Sequence, residues 1–157
     1  MTKWKLPPKA KVFEALSALA DGRVRIIGPT SAEVVSSSHD KTYSVVWSKD
    51  LSQITSNDNA SYWQGYYGYP IIAVLLSLKK IDFNENIAKQ LSGVPWKEIN
   101  SRFKRDYDRA VNHVLEQLDV QGGNRADIIQ EVDRIFDQLS HLNLERAQQY
   151  KKPPKGI

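Results

Sequence analysis

Six consecutive apolar residues, Ile71 to Leu76, follow directly on Pro70 near the middle of a 157-residue chain. The helix they predict, over Ile71 to Lys80, is apolar nearly all round. Such a helix has no face to give to water, so it belongs at the centre of the fold. The run is far too short to cross a bilayer. The rest of the chain must therefore wrap this helix.

The stretch just before it, ITSNDNASYWQGYYGY from Ile54 to Tyr69, holds Tyr62, Trp63, Tyr66, Tyr67 and Tyr69 among small polar residues. Five large rings are too many for a plain solvent loop. Rings bury large areas, and Tyr and Trp carry a polar tip that wants a partner. The stretch is either a folded buttress or a recognition surface. Trp63 and Tyr69, beside the apolar helix, are expected inward. Tyr62 and Tyr66 share the opposite side if this segment is helical.

Upstream, Pro7 and Pro8 open a helix to about Ala20, with Val12, Phe13, Leu16 and Leu19 on one face and Asp21-Gly22 ending it. Strands are predicted at Arg23 to Ile27, Ala32 to Ser37, Lys41 to Trp47 and Ser52 to Ser56. The short connections make an antiparallel meander the simplest pairing. Downstream, a short helix over Asn84 to Leu91 precedes Pro95, which starts the longest predicted helix. There Trp96, Ile99, Phe103, Tyr107, Ala110, Val114 and Leu118 make one stripe over about six turns. Gln121 to Asn124 breaks the chain, with Asn124 as N-cap. A last helix follows, with Ile128, Val132, Ile135, Leu139 and Leu142 on one face. The reading is α+β: a small antiparallel sheet of three to four strands packed by helices, with a C-terminal helical hairpin. Residues 1–157 form one domain, with an α+β part at 1–94, the hairpin at 95–145 and a loose basic tail at 146–157.

Net charge is +4, with pI near 9.2. Both ends are basic, while residues 119–145 carry six acids against Arg125 and Arg134. Basic ends fit either solubility or arms that touch phosphates. The chain has no cysteine, and His39, His113 and His141 stand apart without ligand spacing. No metal and no cofactor is expected. The start MTKWKLPPK lacks an apolar core of signal-peptide length, so a cytoplasmic protein with no membrane contact is expected.

The layout of paired strands, a turn and then GYPIIAVLLSLKKI resembles the SWIM-type zinc finger over about residues 42–78. Ala73, Val74, Leu75 and Leu76 match its apolar run. Gly68 and Pro70 stand where that family has Cys and His, and its earlier Cys pair would fall near Thr55 to Asp58. The resemblance implies a binding module in which packing from Trp63, Tyr66, Tyr67 and Tyr69 replaces the metal. A second segment, IAKQLSGVPWKEINSRF at 87–103, is similar to helix-turn-helix sequences of sigma factors and repressors. That resemblance places Ala88 between the helices, Gly93 in the turn and Ile99 as anchor of the second helix. Ser92 makes the Ala-to-Gly spacing one residue longer than the pattern. Two core helices joined by a Gly-Pro turn account for the same residues.

If the second resemblance holds, Lys97, Asn100, Ser101 and Lys104 face a groove, with Asn and Lys suited to bases and Ser to phosphate. Tyr62 and Tyr66 would add stacking surfaces. For catalysis, His39-Asp40 reads as turn chemistry. Asp58 near Tyr62 has no nucleophile or phosphate loop beside it, and no catalytic fingerprint occurs. The leading expectation is a non-enzymatic nucleic-acid-binding or adaptor module with DNA or RNA as partner. The alternative is an interaction protein whose helical hairpin pairs with a second copy or another protein. An enzyme ranks third.

Overall fold

The structure is a computed structural model that describes residues 2–147 and 152–154. Its order is α1 (Ala10–Ala20), β1 (Val24–Gly28), β2 (Ser31–Val35), β3 (Thr42–Trp47), β4 (Ile54–Ser56), a π-helical turn (Ala60–Gln64), α2 (Tyr69–Ser77), α3 (Glu85–Lys89), α4 (Trp96–Arg102), α5 (Tyr107–Val120) and α6 (Arg125–Ser140). The four strands pair antiparallel in chain order. Ala32 faces Val45 across one ladder and Trp47 faces Ile54 across the next. These four residues and Val34 are buried on one face, as strand alternation requires. The α+β class, the small antiparallel sheet and the C-terminal helices stand as read from the sequence.

Helix α2 is the centre of the molecule. Every residue from Ile71 to Leu76 has no accessible surface. One side of α2 meets α1, and strands β1, β3 and β4 meet it elsewhere. Each fully buried Ile or Leu contributes about 1.5–3 kcal/mol relative to an exposed one, so this helix anchors the fold. Helix α1 is itself covered, by α2, α3, α5 and α6. Its charged residues Lys11 and Glu14 are consequently buried along with its apolar stripe.

The two ends of the domain are tied together. Trp4 N–H donates to the Leu144 carbonyl at 3.2 Å, and Ile54 N–H to that of Glu145 at 3.0 Å. The Trp4 indole donates to the Ile54 carbonyl at 2.9 Å. Arg146 lies over the Trp4 ring, 4.9 Å from its centroid. Arg146, expected in a loose tail, is thus packed against the N-terminal segment, and residues 148–151 and 155–157 lie outside the described residues.

Three expectations are corrected. The stripe from Trp96 to Leu118 is not one helix. It breaks after Arg102, where Lys104 (φ 52°) and Arg105 (φ 64°) are both left-handed. Asp106 then caps a new helix by accepting from Arg109 N–H at 3.3 Å. The hairpin proper is α5 and α6. The second correction concerns Trp63, which is 69% exposed rather than inward. Ala60–Gln64 coils as a π-turn that ends at Gly65 (φ 72°), and this turn carries Trp63 outward. Tyr67 takes the inward place, 2% exposed and 5.9 Å from the Trp4 ring. Tyr62 and Tyr66 are half-buried rather than outward.

Candidate functional site

Helix α4 is held at three points. The Trp96 indole donates to Ser17 Oγ at 2.8 Å, and that hydroxyl donates to the Leu91 carbonyl at 2.7 Å. Gly93 N–H donates to Asp21 Oδ1 at 2.7 Å. Lys97 N–H donates to Ser37 Oγ at 3.0 Å, and the Lys97 ammonium pairs with Asp40. These bonds fix α4 to α1 on one side and to the turn between β2 and β3 on the other. Its outer face becomes one wall of a cleft of about 1130 Å³.

The opposite wall is the aromatic stretch, with Trp63 and Gln64 at the rim and Tyr66 and Tyr69 deeper. Tyr43 on β3 and Tyr107 at the start of α5 also line it. Four charged lining residues, Lys11, Glu14, Arg23 and Asp58, are buried. Lys11 Nζ lies 3.1 Å from Glu14 Oε2 and 4.4 Å from the centre of the Tyr107 ring. Glu14 Oε1 also accepts from Asn100 Nδ2 at 3.1 Å. Arg23 donates to the Val35 carbonyl at 2.7 Å and pairs with Asp21.

The ionisable groups of the cleft respond to this burial and to each other. Burial opposes the charge of Lys11, but the fields of Glu14, Tyr107 and Tyr66 more than offset it, and its pKa is raised. Burial pushes Tyr43 up to about 12, with Asp58, Asp40 and Glu14 adding to the shift. Burial also raises Tyr66 and Tyr69. Tyr43, Tyr66 and Tyr69 thus all feel the buried carboxylates Glu14 and Asp58.

Half of the cations lining the cleft are neutralised locally: Lys11 by Glu14, Arg23 by Asp21 and Lys97 by Asp40. Lys41, Lys104 and Arg105 line the same cleft and have no ion partner among the described residues. Two acceptors shut away from solvent, Asp58 Oδ1 and Asn100 Oδ1, have no hydrogen-bond partner among the described residues. Buried polar groups are nearly always satisfied, so each orphan calls for an explanation. The cleft therefore offers unneutralised positive charge, ring faces and unmet acceptors together.

Of the residues singled out by sequence, Lys97, Asn100, Ser101, Lys104 and Tyr66 all line this one cleft. Tyr62 does not. Its ring lies edge-on to Trp63 at 4.6 Å, outside the lining. Sequence reasoning missed Lys41, Arg105, Tyr43 and the buried Lys11–Glu14 pair. The available signal for the pair was its i, i+3 spacing beside the α1 stripe.

The corner between β4 and α2 is built by hydrogen bonds. Asp58 Oδ2 accepts from Ser61 N–H at 3.0 Å, and Ser61 Oγ accepts from Gly68 N–H at 3.0 Å. Among the described residues no group of three or more His, Asp and Glu side chains could hold a metal ion, and no helix is long and apolar enough to cross a membrane.

Over residues 4–145 the chain matches the model of a family described as uncharacterised conserved protein UCP014422, and it belongs to that family. No curated protein and no solved structure matches the chain.

Proposed function

We propose that this protein is a non-enzymatic nucleic-acid-binding module that takes a single-stranded segment into the cleft between α4 and the aromatic stretch. The observation that carries this reading is the coincidence of Lys41, Lys104 and Arg105, unpaired, with Trp63, Tyr66 and Tyr43 around one concavity. Single strands are held by a positive groove that follows the phosphates and by rings on which bases stack. The orphan acceptors Asp58 Oδ1 and Asn100 Oδ1 suit donors on bases or sugars.

The two resemblances bear on this reading differently. The zinc-finger-like layout gains support from the corner between β4 and α2, where Asp58 and Gly68, positions that layout would use for ligands, lie side by side. The helix-turn-helix pattern gains support from buried Ala88 and Ile99 and from Gly93 at φ 74°. Yet α4 is a wall of a cleft rather than a projecting helix, which favours a strand entering the cleft over a helix entering a groove. Pairing through the hairpin has less behind it, because the α5 and α6 stripes are already buried inside this chain.

The test is fluorescence anisotropy of labelled single-stranded and duplex oligonucleotides, with Trp63 emission read in parallel. Three neutralised phosphates on a single strand give a salt slope of about −2, so affinity should fall about 20-fold between about 50 and 200 mM salt. Absence of binding at low salt would sink the proposal. A duplex bound as tightly as the single strand would favour the groove-reading alternative.

A further inference from the structure

Among the described residues, five other than glycine have positive φ: His39, Leu51, Lys79, Lys104 and Arg105. Three are isolated. Lys104 and Arg105 are adjacent, both are cationic, both are exposed, and both line the cleft. Left-handed backbone is unfavourable for any residue with a Cβ, and two in succession compound the cost. Strain of this kind persists where the surroundings impose it and clusters at ligand-gripping sites. Glycine would fit this turn without strain, yet two long cations occupy it.

The backbone of this turn has no donors to spare. Lys104 N–H donates to the Ser101 carbonyl at 3.1 Å, Arg105 N–H to that of Asn100 at 2.8 Å, and Asp106 N–H to that of Phe103 at 3.0 Å. The turn therefore offers side chains rather than an amide nest. Its neighbouring carboxylate, Asp106, is engaged as the cap of α5. The side chains of Lys104 and Arg105 are left unpaired among the described residues, at the end of α4 opposite Lys97. Seven helical residues rise about 10 Å, so the two ends of α4 can meet different phosphates.

We infer that the strained turn Lys104–Arg105 is a phosphate clamp of the cleft, a two-cation grip for the backbone of a single-stranded nucleic acid. This deepens the nucleic-acid reading and rests on it. A clamp held in a strained turn has a signature that neither a solvated charge pair nor an ordinary helix end shares. Replacing either residue by glycine relieves the backbone and removes a phosphate contact at once. The fold should gain stability while the site loses affinity.

The experiment uses the full chain and a single-stranded oligothymidine of fixed length. Lys104→Gly and Arg105→Gly are each expected to raise the thermal midpoint by a few degrees and to lower the salt slope by about 0.7. Lys104→Asn, uncharged but tolerant of this φ, should lower the slope equally and guards against an effect peculiar to glycine. Lys104→Arg should restore the slope. Lys49→Ala, at an exposed turn outside the cleft, should leave it unchanged. If wild type binds but neither glycine variant changes the slope, the clamp is refuted and the cleft reading survives. A drop in thermal midpoint on both substitutions would also refute it, since the turn would then carry no strain. If wild type does not bind at all, both readings fail together.

Discussion

Replacing Gly68 by alanine tests the packing logic of the corner that carries the aromatic stretch. Gly68 has φ −70° and ψ 163°, values open to any residue, so alanine there has no backbone penalty. The obstacle is space. A Cβ built on Gly68 overlaps Asp58 Oδ2 and stands 2.6 Å from Ser61 Oγ and 2.8 Å from Asp58 Cγ. Neither neighbour is the loose end of a flexible chain. Asp58 Oδ2 accepts from Ser61 N–H, the Asp58 carbonyl accepts from Tyr62 N–H at 2.9 Å, and Ser61 Oγ accepts from Gly68 N–H. Moving the carboxylate forfeits a hydrogen bond to a charged group, worth about 1.5–3 kcal/mol. Overpacking adds about 1–3 kcal/mol. The expected loss is thus about 3–6 kcal/mol, a large share of the roughly 5–15 kcal/mol that holds a domain folded. Gly22 is the control, because it has φ 67° and nothing within 4 Å of a built Cβ. Alanine there meets only the left-handed penalty of about 1–2 kcal/mol. Chemical denaturation followed by tryptophan fluorescence should rank Gly68→Ala well below Gly22→Ala. Equal or reversed losses would refute the argument. Combining Gly68→Ala with Asp58→Ala should destabilise less than the sum of the two single losses, because the second change removes the atoms the new methyl group meets.

Trp63→Ala should shift stability by no more than about 0.5 kcal/mol, as for a surface site, whereas Tyr67→Ala should cost about 3–5 kcal/mol by analogy with buried Phe; thermal melts of the two variants decide it. Alkaline pH should unfold the protein in a definite window. Burial lifts both Tyr43 and Tyr67 from 10.0 to about 12, and the Lys11 pKa is raised as well. All three groups hold protons in the folded chain that the unfolded chain releases. Their contribution is therefore complete below about pH 10 and fades as pH climbs towards 12. A phenol absorbance titration alongside circular dichroism, repeated on Tyr43→Phe and Tyr67→Phe, checks this, and the loss of a phenol ionising near pH 10 in either variant would contradict it.

How much of this was legible in the residues depends on where the controlling force acts. Strand alternation in Tyr43, Val45 and Trp47 and the unbroken run from Ile71 to Leu76 report burial directly, so the sheet and the central helix were readable. The break at Lys104–Arg105 was not. No Gly or Pro marks it, and the apolar spacing from Phe103 to Tyr107 continues across it. The available signal was Asp106, an acceptor able to start a helix, and it competes with a stripe that argues for continuity. Trp63 failed for a related reason. Proximity to the apolar helix suggested burial, but the π-turn and Gly65 rotate the ring away and bring Tyr67 in. Which rings face the core follows the backbone path through this turn, and ring composition carries no trace of that path.

The site was harder to read because its chemistry is a matter of which charges cancel. Lys97 has good credentials in sequence, lying on the outer face of a helix beside Asn100 and Ser101. Once folded, it meets Asp40, 57 positions away along the chain. Both partners are at least partly exposed, so that pair adds little stability, yet it removes much of the net field a phosphate would feel there. Arg105, which by helical phase points away from the core of a continuous helix, is carried to the cleft by the break that ends α4. Past the same break, Lys104 and Arg105 have no carboxylate partner among the described residues. Affinity for a polyanion follows the unneutralised cations rather than the total. The helix break and the aromatic wall therefore act together. One exposes charge, the other supplies ring faces across a gap that α4 holds open through Ser17, Ser37 and Asp21. Removing Ser17 or Asp21, neither of which lines the cleft, should weaken ligand binding through the geometry of the cleft alone.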